Sequence, residues 1–129
     1  MRDPALLFRA LADETRLQML YLIRQHQELC VCDLENVLGI GQSKASRHLR
    51  YLLNAGLVQD RREAIWIYYR IAENLKPPQT AILESVEQLL DPLKLRDLNS
   101  KLVDWREQKK CGVTRDKFVA RSLKAESTV

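Results

Sequence analysis

The sequence lacks any apolar run that could cross a membrane. Of its 129 residues, 29% are charged, and no apolar stretch approaches the roughly 20 residues that a membrane-spanning helix needs. The N-terminus, Met1-Arg2-Asp3-Pro4, also lacks the basic and then apolar layout of a signal peptide. These absences exclude a membrane protein. They predict a single-domain cytoplasmic protein whose three cysteines are free thiols.

Residue patterns of common enzyme classes are missing as well. The chain has neither a phosphate-binding loop nor a nucleophile placed with a base. Cys30 and Cys32 are spaced as Cys-x-Cys, whereas thiol oxidoreductases use Cys-x-x-Cys within a βαβ frame. We therefore expect a protein that is not an enzyme.

Apolar residues recur at helical spacing along most of the chain. The pattern predicts a short helix over Pro4–Leu11 and a second helix with Asp13 as its N-cap. A brief helix over residues 33–38 is followed, after Gly-Ile-Gly at 39–41, by another helix that Gly56 stops. Two helices joined by about four residues that include glycine match a helix-turn-helix.

The second helix of this pair has one apolar face and one basic, polar face. The net charge is only +4, but basic residues concentrate between positions 41 and 62, which suits phosphate binding. Arginine can donate to a guanine edge or a phosphate, and polar groups at a helix N-terminus reach bases or backbone oxygens. The side chains predicted to contact double-stranded operator DNA are Gln42, Ser43, Lys44, Ser46, Arg47, His48 and Arg50.

Three of these residues have other interpretations open to them. Gln42 and Ser43 are also placed to cap the helix, and His48, at the edge of the apolar stripe, is equally suited to packing or capping.

Two β-prone runs, 58–62 and 65–71, follow directly and are joined across Glu63 and Ala64. A hairpin after a recognition helix is the wing of a winged helix-turn-helix, so the predicted fold is mainly α with a β-hairpin wing. Arg61 and Arg62 lie near its tip, where they are predicted to follow the DNA backbone. The aromatic side chains of the hairpin are interpreted as its packed face.

From Pro78 onward the apolar spacing is helical again, with a break or kink at Pro92. The small domain before it covers only part of these apolar stripes, which predicts a homodimer with recognition helices about one DNA turn apart. We assign residues 1–105 to a DNA-binding and dimerisation domain, and residues 106–129 to a basic, loosely ordered tail.

Cys30-Val31-Cys32 is the constellation best suited to chemistry. Thiolates are soft ligands and favour arsenite, antimonite, cadmium, lead, zinc or copper(I) over hard cations. Positions i and i+2 lie about 200° apart on an ideal helix, so one ion held by both requires the chain to leave or distort helical geometry. We expect occupancy to act on the first helix of the helix-turn-helix. Buried packing of the two cysteines is the simpler alternative.

Four segments together resemble the ArsR/SmtB family over residues 5 to 95. They are Ala-Asp-Glu-Thr-Arg-Leu at 12–17, Glu-Leu-Cys-Val-Cys-Asp-Leu at 28–34, Ser-Arg-His-Leu at 46–49 and Tyr-Tyr-Arg at 68–70. The resemblance implies a homodimeric winged-helix repressor that releases operator DNA when a metal or metalloid binds. The second segment resembles the arsenic- and cadmium-responsive branches, which makes trivalent arsenic or antimony the expected inducer.

The chain departs from that family at several positions. The arsenic-responsive pattern often places a third cysteine where this chain has Glu35. The family's wing usually turns on a glycine near Ala64, so we expect a different turn here, because alanine resists positive φ. The zinc site that some members build between C-terminal helices is absent, since His26 and His48 are the only histidines.

Cys111, the only other thiol, is predicted to complete a three-sulfur site with Cys30 and Cys32, within one chain or across the dimer. In the alternative, Cys111 is a bystander and two protein thiols hold arsenic together with a hydroxide or a small thiol. Two alternative functions also stay open. One is a cadmium- or lead-responsive repressor of the same fold, and the other is a repressor that senses oxidants through disulfides of these cysteines.

Overall fold

The computed structural model describes residues 3–108. Its elements are, in chain order, α1 (Pro4–Leu11), α2 (Glu14–His26), β1 (Leu29–Cys30), α3 (Val31–Leu38), α4 (Gln42–Asn54), β2 (Val58–Glu63), β3 (Trp66–Ile71), α5 (Pro77–Leu89) and α6 (Pro92–Gln108). The helix-turn-helix α3–α4 and the wing β2–β3 confirm the fold predicted from the sequence. Within residues 3–108, no helix combines the length and apolarity needed to cross a bilayer.

Polar and glycine residues set the ends of these helices. Asp13 caps α2, because its carboxylate accepts a hydrogen bond from the backbone N–H of Arg16 at 3.0 Å. Gly56 has a φ of 75° and follows α4, as predicted. The predicted capping role of Gln42 and Ser43 is wrong. Gly41 is the N-cap of α4, and no side chain caps that helix, which leaves both polar residues exposed in its first turn.

The core forms where α2, α3, α4 and α6 pack around the inner face of the sheet. Its largest completely buried apolar side chains are Met19, Leu22, Ile23, Leu29, Leu34, Leu49, Leu52, Leu57 and Leu102. Burying one leucine or isoleucine side chain contributes about 1.5–3 kcal/mol relative to leaving it in water. The inner side of α4 is therefore fixed by packing, and its outer side is left for another role.

The wing belongs to a three-stranded antiparallel sheet of order β1-β3-β2. Strand β1, which the sequence analysis did not predict, pairs with the wing strand β3. Cys30 lies opposite Tyr68, and Tyr68 lies opposite Arg61 on β2. One row of residues across the sheet thus connects the Cys-x-Cys segment to the wing.

The wing turns at Ala64, which has a φ of 56°. This is the left-handed conformation that glycine adopts without steric cost. The expectation of a different turn is wrong, because the hairpin holds alanine in the conformation that it resists. The strain is about 1–2 kcal/mol for a residue with a β-carbon.

The C-terminal part of the described chain is two helices. Pro92 begins α6, where the missing N–H of proline is harmless, and Asp91 accepts a hydrogen bond from the N–H of Leu93 at 3.0 Å. Helix α6 then packs against α3 and continues through Gln108, so residues 106–108 belong to a helix. The rest of the predicted tail, including Cys111, lies outside the described residues.

Candidate DNA-reading surface and thiol site

The outer face of α4 brings most of the predicted DNA-binding residues together. One shallow depression on this face is lined by Gln42, Ser43, Ser46, Arg47 and Arg50. All of them are exposed except Ser46, which is half-buried, and Lys44 is exposed beside them. We call this group of six the α4 face. It presents cationic and hydrogen-bonding side chains from one rigid helix.

His48 does not share the α4 face. Its side chain is buried, and its Nδ1 atom lies 3.1 Å from Nη1 of Arg16. Of the two roles left open by the sequence, this position favours packing over DNA contact.

Arg16 connects several elements through one buried guanidinium. It donates hydrogen bonds to the carbonyl oxygens of Arg9 at 2.9 Å and Ala10 at 2.8 Å, and it stacks over the ring of Tyr51 at 4.2 Å. The end of α1 is thereby tied to the recognition helix α4.

Burial lowers the pKa of His48, the cations of Arg16, Lys44 and Arg47 lower it further, and Asp13 opposes them. The imidazole is therefore neutral at pH 7. Because a guanidinium can only donate, Nδ1 is the acceptor and Nε2 carries the proton.

The two wing arginines are placed differently. Arg62 is exposed, as a DNA contact requires. Arg61 is held by two carboxylates, with Nη2 and Nε donating to the two oxygens of Glu28 at 2.6 and 3.2 Å, and Nη1 donating to Glu63 at 2.6 Å. Its guanidinium also lies 4.7 Å from the centre of the Tyr68 ring. These contacts hold Arg61 within the protein.

The two N-terminal cysteines lie at the start of α3. Cys30 is buried in β1 and is the extended N-cap residue of α3, with φ −89° and ψ 166°, whereas Cys32 lies in the first helical turn. Their Sγ atoms are joined as a disulfide, with Cα atoms 5.4 Å apart. This pairing differs from the expected free thiols. Cys30 lies outside the helix, which is one of the two departures from helical geometry that the spacing predicts for an ion held by both cysteines.

Asp33 is a third polar group at this site and was not predicted. It is completely buried, and its carboxylate accepts hydrogen bonds from the N–H of Cys30 at 2.9 Å and from Nε1 of Trp105 at 3.0 Å. Its position three residues after an N-cap is the sequence signal that could have revealed it, because an acid there reaches back to the cap N–H.

A carboxylate oxygen of Asp33 and the two sulfurs lie within 4.8 Å of one another. Two soft sulfurs suit a thiophilic ion or metalloid, and the carboxylate is a harder donor beside them. Within residues 3–108, the site holds two cysteine sulfurs, which can act as thiolate ligands once the disulfide is reduced, so a third sulfur has to come from elsewhere.

Helix α6 packs against the segment that carries the cysteines. We call residues 27–33 the cysteine loop. Besides the bond from Trp105 to Asp33, Arg106 donates to the carbonyl oxygen of Glu28 at 3.4 Å. The end of the described part of α6 is thus anchored beside the sulfurs, and Cys111 follows the last described residue, Gln108, by three positions.

Comparisons with known proteins agree with this architecture. Residues 13–60 match the model of the arsR family of bacterial regulatory proteins. The chain is 41% identical over 97 residues to the arsenic resistance transcriptional regulator ArsR1 of Pseudomonas putida, a match that covers 72% of this chain and 76% of that relative.

Two solved structures extend the comparison. A homodimeric winged helix-turn-helix DNA-binding domain from Mycobacterium bovis, described as a possible ArsR-family transcriptional regulator, is similar with a TM-score of 0.57 and 34% identity, over 66% of this chain and 75% of that one. The antimony-specific transcriptional repressor AntR is similar with a TM-score of 0.52 and 28% identity, over 81% of this chain and 80% of that one. The chain therefore belongs to the ArsR family of bacterial regulatory proteins, with their winged helix-turn-helix fold.

Proposed function

We propose that this protein is a DNA-binding transcriptional repressor that releases its operator when trivalent arsenic or antimony binds Cys30 and Cys32. The observation that carries the proposal is the position of Cys30 and Cys32 side by side at the start of the first helix of the helix-turn-helix, where their reduced thiolates can bind one soft centre together. The Pseudomonas relative, which regulates arsenic resistance, and the antimony-specific repressor AntR support the same class of inducer.

The α4 face is the proposed reader of the operator. Arg47 and Arg50 contact base edges or phosphates in the major groove, while Lys44 and the polar residues of the first turn contact the backbone. Arg62 adds a phosphate contact from the wing. Because these contacts release counterions, operator affinity should fall steeply as the salt concentration rises.

The protein acts as a homodimer in this proposal. Large apolar side chains are exposed on three helices, with Phe8 on α1 59% exposed, Leu89 on α5 84% exposed and Leu93 on α6 70% exposed. Large exposed apolar side chains are candidates for burial in a protein–protein interface. A two-fold dimer presents two α4 faces to adjacent turns of the operator, and the Mycobacterium bovis domain is a homodimer.

Cys111 is the proposed third sulfur, from the same chain or from the dimer partner. The bond from Trp105 to Asp33 fixes α6 beside the sulfurs, and the three residues that follow Gln108 and end at Cys111 reach at most about 10 Å. Trivalent arsenic forms three bonds to soft donors, and the sulfurs of Cys30, Cys32 and Cys111 would supply that number.

Single cysteine variants test this ligand set. Arsenic–sulfur coordination in C30S, C32S and C111S is measured by X-ray absorption, and release from DNA is measured in parallel. Each variant is expected to lose one sulfur neighbour and arsenite sensitivity. Wild-type coordination and release in C111S alone would confine the site to Cys30 and Cys32.

Operator release is tested by fluorescence anisotropy. The DNA is a duplex that the protein itself selects from random sequences, and the chain is kept reduced while arsenite, antimonite, cadmium, lead and zinc are titrated separately. Arsenite or antimonite should weaken binding by about 5- to 150-fold, the usual range for coupled sites. Release by cadmium or lead, without release by arsenite or antimonite, would mean that the inducer is a divalent cation. If none of the five causes release, the proposal is refuted.

A second candidate inducer is an oxidant, since Cys30 and Cys32 are paired as a disulfide in this structure. Here hydrogen peroxide takes two electrons and two protons from the Cys30 and Cys32 thiols, which gives one disulfide and two water molecules. Release by peroxide without added metal or metalloid, reversed by dithiothreitol and absent in C32S, would support this candidate.

A further inference from the structure

The cysteine loop and the wing are connected by side chains as well as by the sheet. Glu28 precedes strand β1 by one residue, and its side chain is only 13% exposed. Both of its carboxylate oxygens accept from Arg61 on β2, at 2.6 and 3.2 Å. Paired, charge-assisted hydrogen bonds of this kind are strong and directional. They fix the position of the wing strand relative to the cysteine loop.

The backbone at Glu28 is held on both sides. Gln27 has a φ of 69°, a left-handed conformation that is uncommon for a residue with a side chain. The carbonyl oxygen of Glu28 accepts from Arg106, and the next residue, Leu29, is completely buried. Because the segment is packed and bonded along its length, a displacement of Cys30 is passed to Glu28 rather than absorbed between them.

We propose that the ion pair between Glu28 and Arg61 transmits the occupancy of the thiol site to the wing. This inference rests on the proposed function. Glu28 and Arg61 are positioning residues, and neither contacts the inducer or the DNA. When the sulfurs close on a ligand, the shift of Cys30 moves Glu28, Glu28 moves Arg61, and the exposed Arg62 loses its alignment with the DNA contacts of the α4 face.

Glu63 provides a matched control for this route. It also accepts from Arg61, at 2.6 Å, but it lies at the end of β2 and outside the cysteine loop. E28Q and E63Q make the same change in charge and volume and remove one carboxylate partner of the same arginine. A general effect on Arg61 would appear in both variants, whereas transmission from the thiols requires Glu28.

The measured quantity is the ratio of operator affinities without and with saturating arsenite. E28Q is expected to reduce this ratio by about 3- to 30-fold, the range in which residues between two sites modulate coupling, while E63Q keeps the wild-type ratio. The affinity of E28Q for arsenite in the absence of DNA should stay unchanged, a result that damage to the thiol site would not give. Equal ratios in wild type and E28Q, or equal losses in E28Q and E63Q, would overturn the inference.

A double-mutant cycle tests the pair itself. If the ion pair transmits the occupancy of the thiol site, R61Q and the double variant E28Q/R61Q reduce the ratio of operator affinities without and with arsenite no further than E28Q does. If Arg61 instead contacts a phosphate, R61Q weakens operator binding without arsenite and lowers the salt dependence by about one ion. That second result would overturn the inference.

Conservative variants of the pair and the wild-type response provide two further controls. Should E28Q fail to fold, E28D and R61K retain the charges but not the two parallel hydrogen bonds, and they should show the same reduced ratio. Absence of any arsenite effect in the wild type would refute the proposed function and this route with it. An arsenite effect that persists fully in E28Q or E28D would refute the route alone.

Discussion

On the α4 face, Lys44, Arg47 and Arg50 point into solvent, whereas beside the thiols the charged groups of Asp33 and Arg61 are each held by two partner residues. The exposed side chains keep their conformational freedom until DNA orders them. Asp33, which is buried, and Arg61, which is partly exposed, are ordered already, because each is bonded to a group from another part of the chain. We therefore expect changes on the α4 face to alter DNA affinity alone, and changes in the cysteine loop to alter stability and coupling together.

The largest expected effect is a loss of stability when the hydrogen bonds that hold the cysteine loop are removed. D33A removes the acceptor of two donors, the buried N–H of Cys30 and the half-buried Nε1 of Trp105. Each donor left unsatisfied costs about 1–3 kcal/mol, so the free energy of unfolding should fall by about 3 kcal/mol. Chemical denaturation of the reduced protein measures this free energy of unfolding. D97A is the control, because Asp97 is exposed and pairs with exposed Lys101, a contact worth less than about 1 kcal/mol. Similar losses in the two variants would contradict the assigned role of Asp33.

The next effect concerns the α4 face. R47A and R50A should each weaken operator binding by about 1–3 kcal/mol if the arginine contacts a base, without changing the free energy of unfolding. R62A should weaken it less and flatten its salt dependence. Anisotropy titrations measure operator affinity, and denaturation measures the free energy of unfolding. R96A is the matched control, because Arg96 is an exposed residue of α6. Wild-type operator affinity in both R47A and R50A, with the dimer intact, would show that α4 is not the reading helix.

A smaller effect on stability is expected at the turn of the wing, which lies next to neither the α4 face nor the cysteines in sequence and tests whether Ala64 is strained. A64G removes the β-carbon from a residue with a φ of 56°. The relief of strain exceeds the added freedom of glycine in the unfolded chain, so the free energy of unfolding should rise by about 0.5–1 kcal/mol. A64S, which keeps a β-carbon, should leave it unchanged. Equal stability of A64G and wild type would show that the turn carries no strain.

The smallest effect is a pH dependence centred on His48. Burial first, and then Arg16, Lys44 and Arg47, lower its pKa below 6.5 in the folded protein, against the opposing charge of Asp13. As the pH falls through 6.5, the unfolded chain binds a proton that the folded chain does not, so stability is lost from that pH downward. Denaturation of wild type and H48Q between pH 5 and 8 should show a steeper loss in wild type. Parallel curves would mean that His48 does not titrate differently on folding.

Local patterns in the sequence were sufficient for much of the fold. Helical spacing located α1, α2 and α4, and Asp13 and Gly56 marked helix ends where the structure has them. Each of these signals acts within a few residues, which is why a single sequence reveals it. The outer face of α4 was predictable for the same reason.

The features that were missed depend on contacts between distant residues. Strand β1 has two residues, too few to show a period, and it exists because β3 pairs with it. The inward position of His48 depends on Arg16, 32 residues away, and the restraint on Arg61 depends on Glu28, 33 residues away. Charge and spacing identified these side chains as candidates, but only tertiary packing decided whether each faces DNA or the protein.

The bond between Trp105 and Asp33 also sets an order of assembly during synthesis. It joins residues separated by 72 positions, and a ribosome adding about 5–20 residues per second needs several seconds to make that length of chain. Helices α3 and α4 are complete long before α6 leaves the ribosome. Until then the Asp33 carboxylate keeps its hydration shell. The docking of α6 is therefore the step that completes the surroundings of Asp33 beside the two cysteines, so this part of the molecule matures after α4.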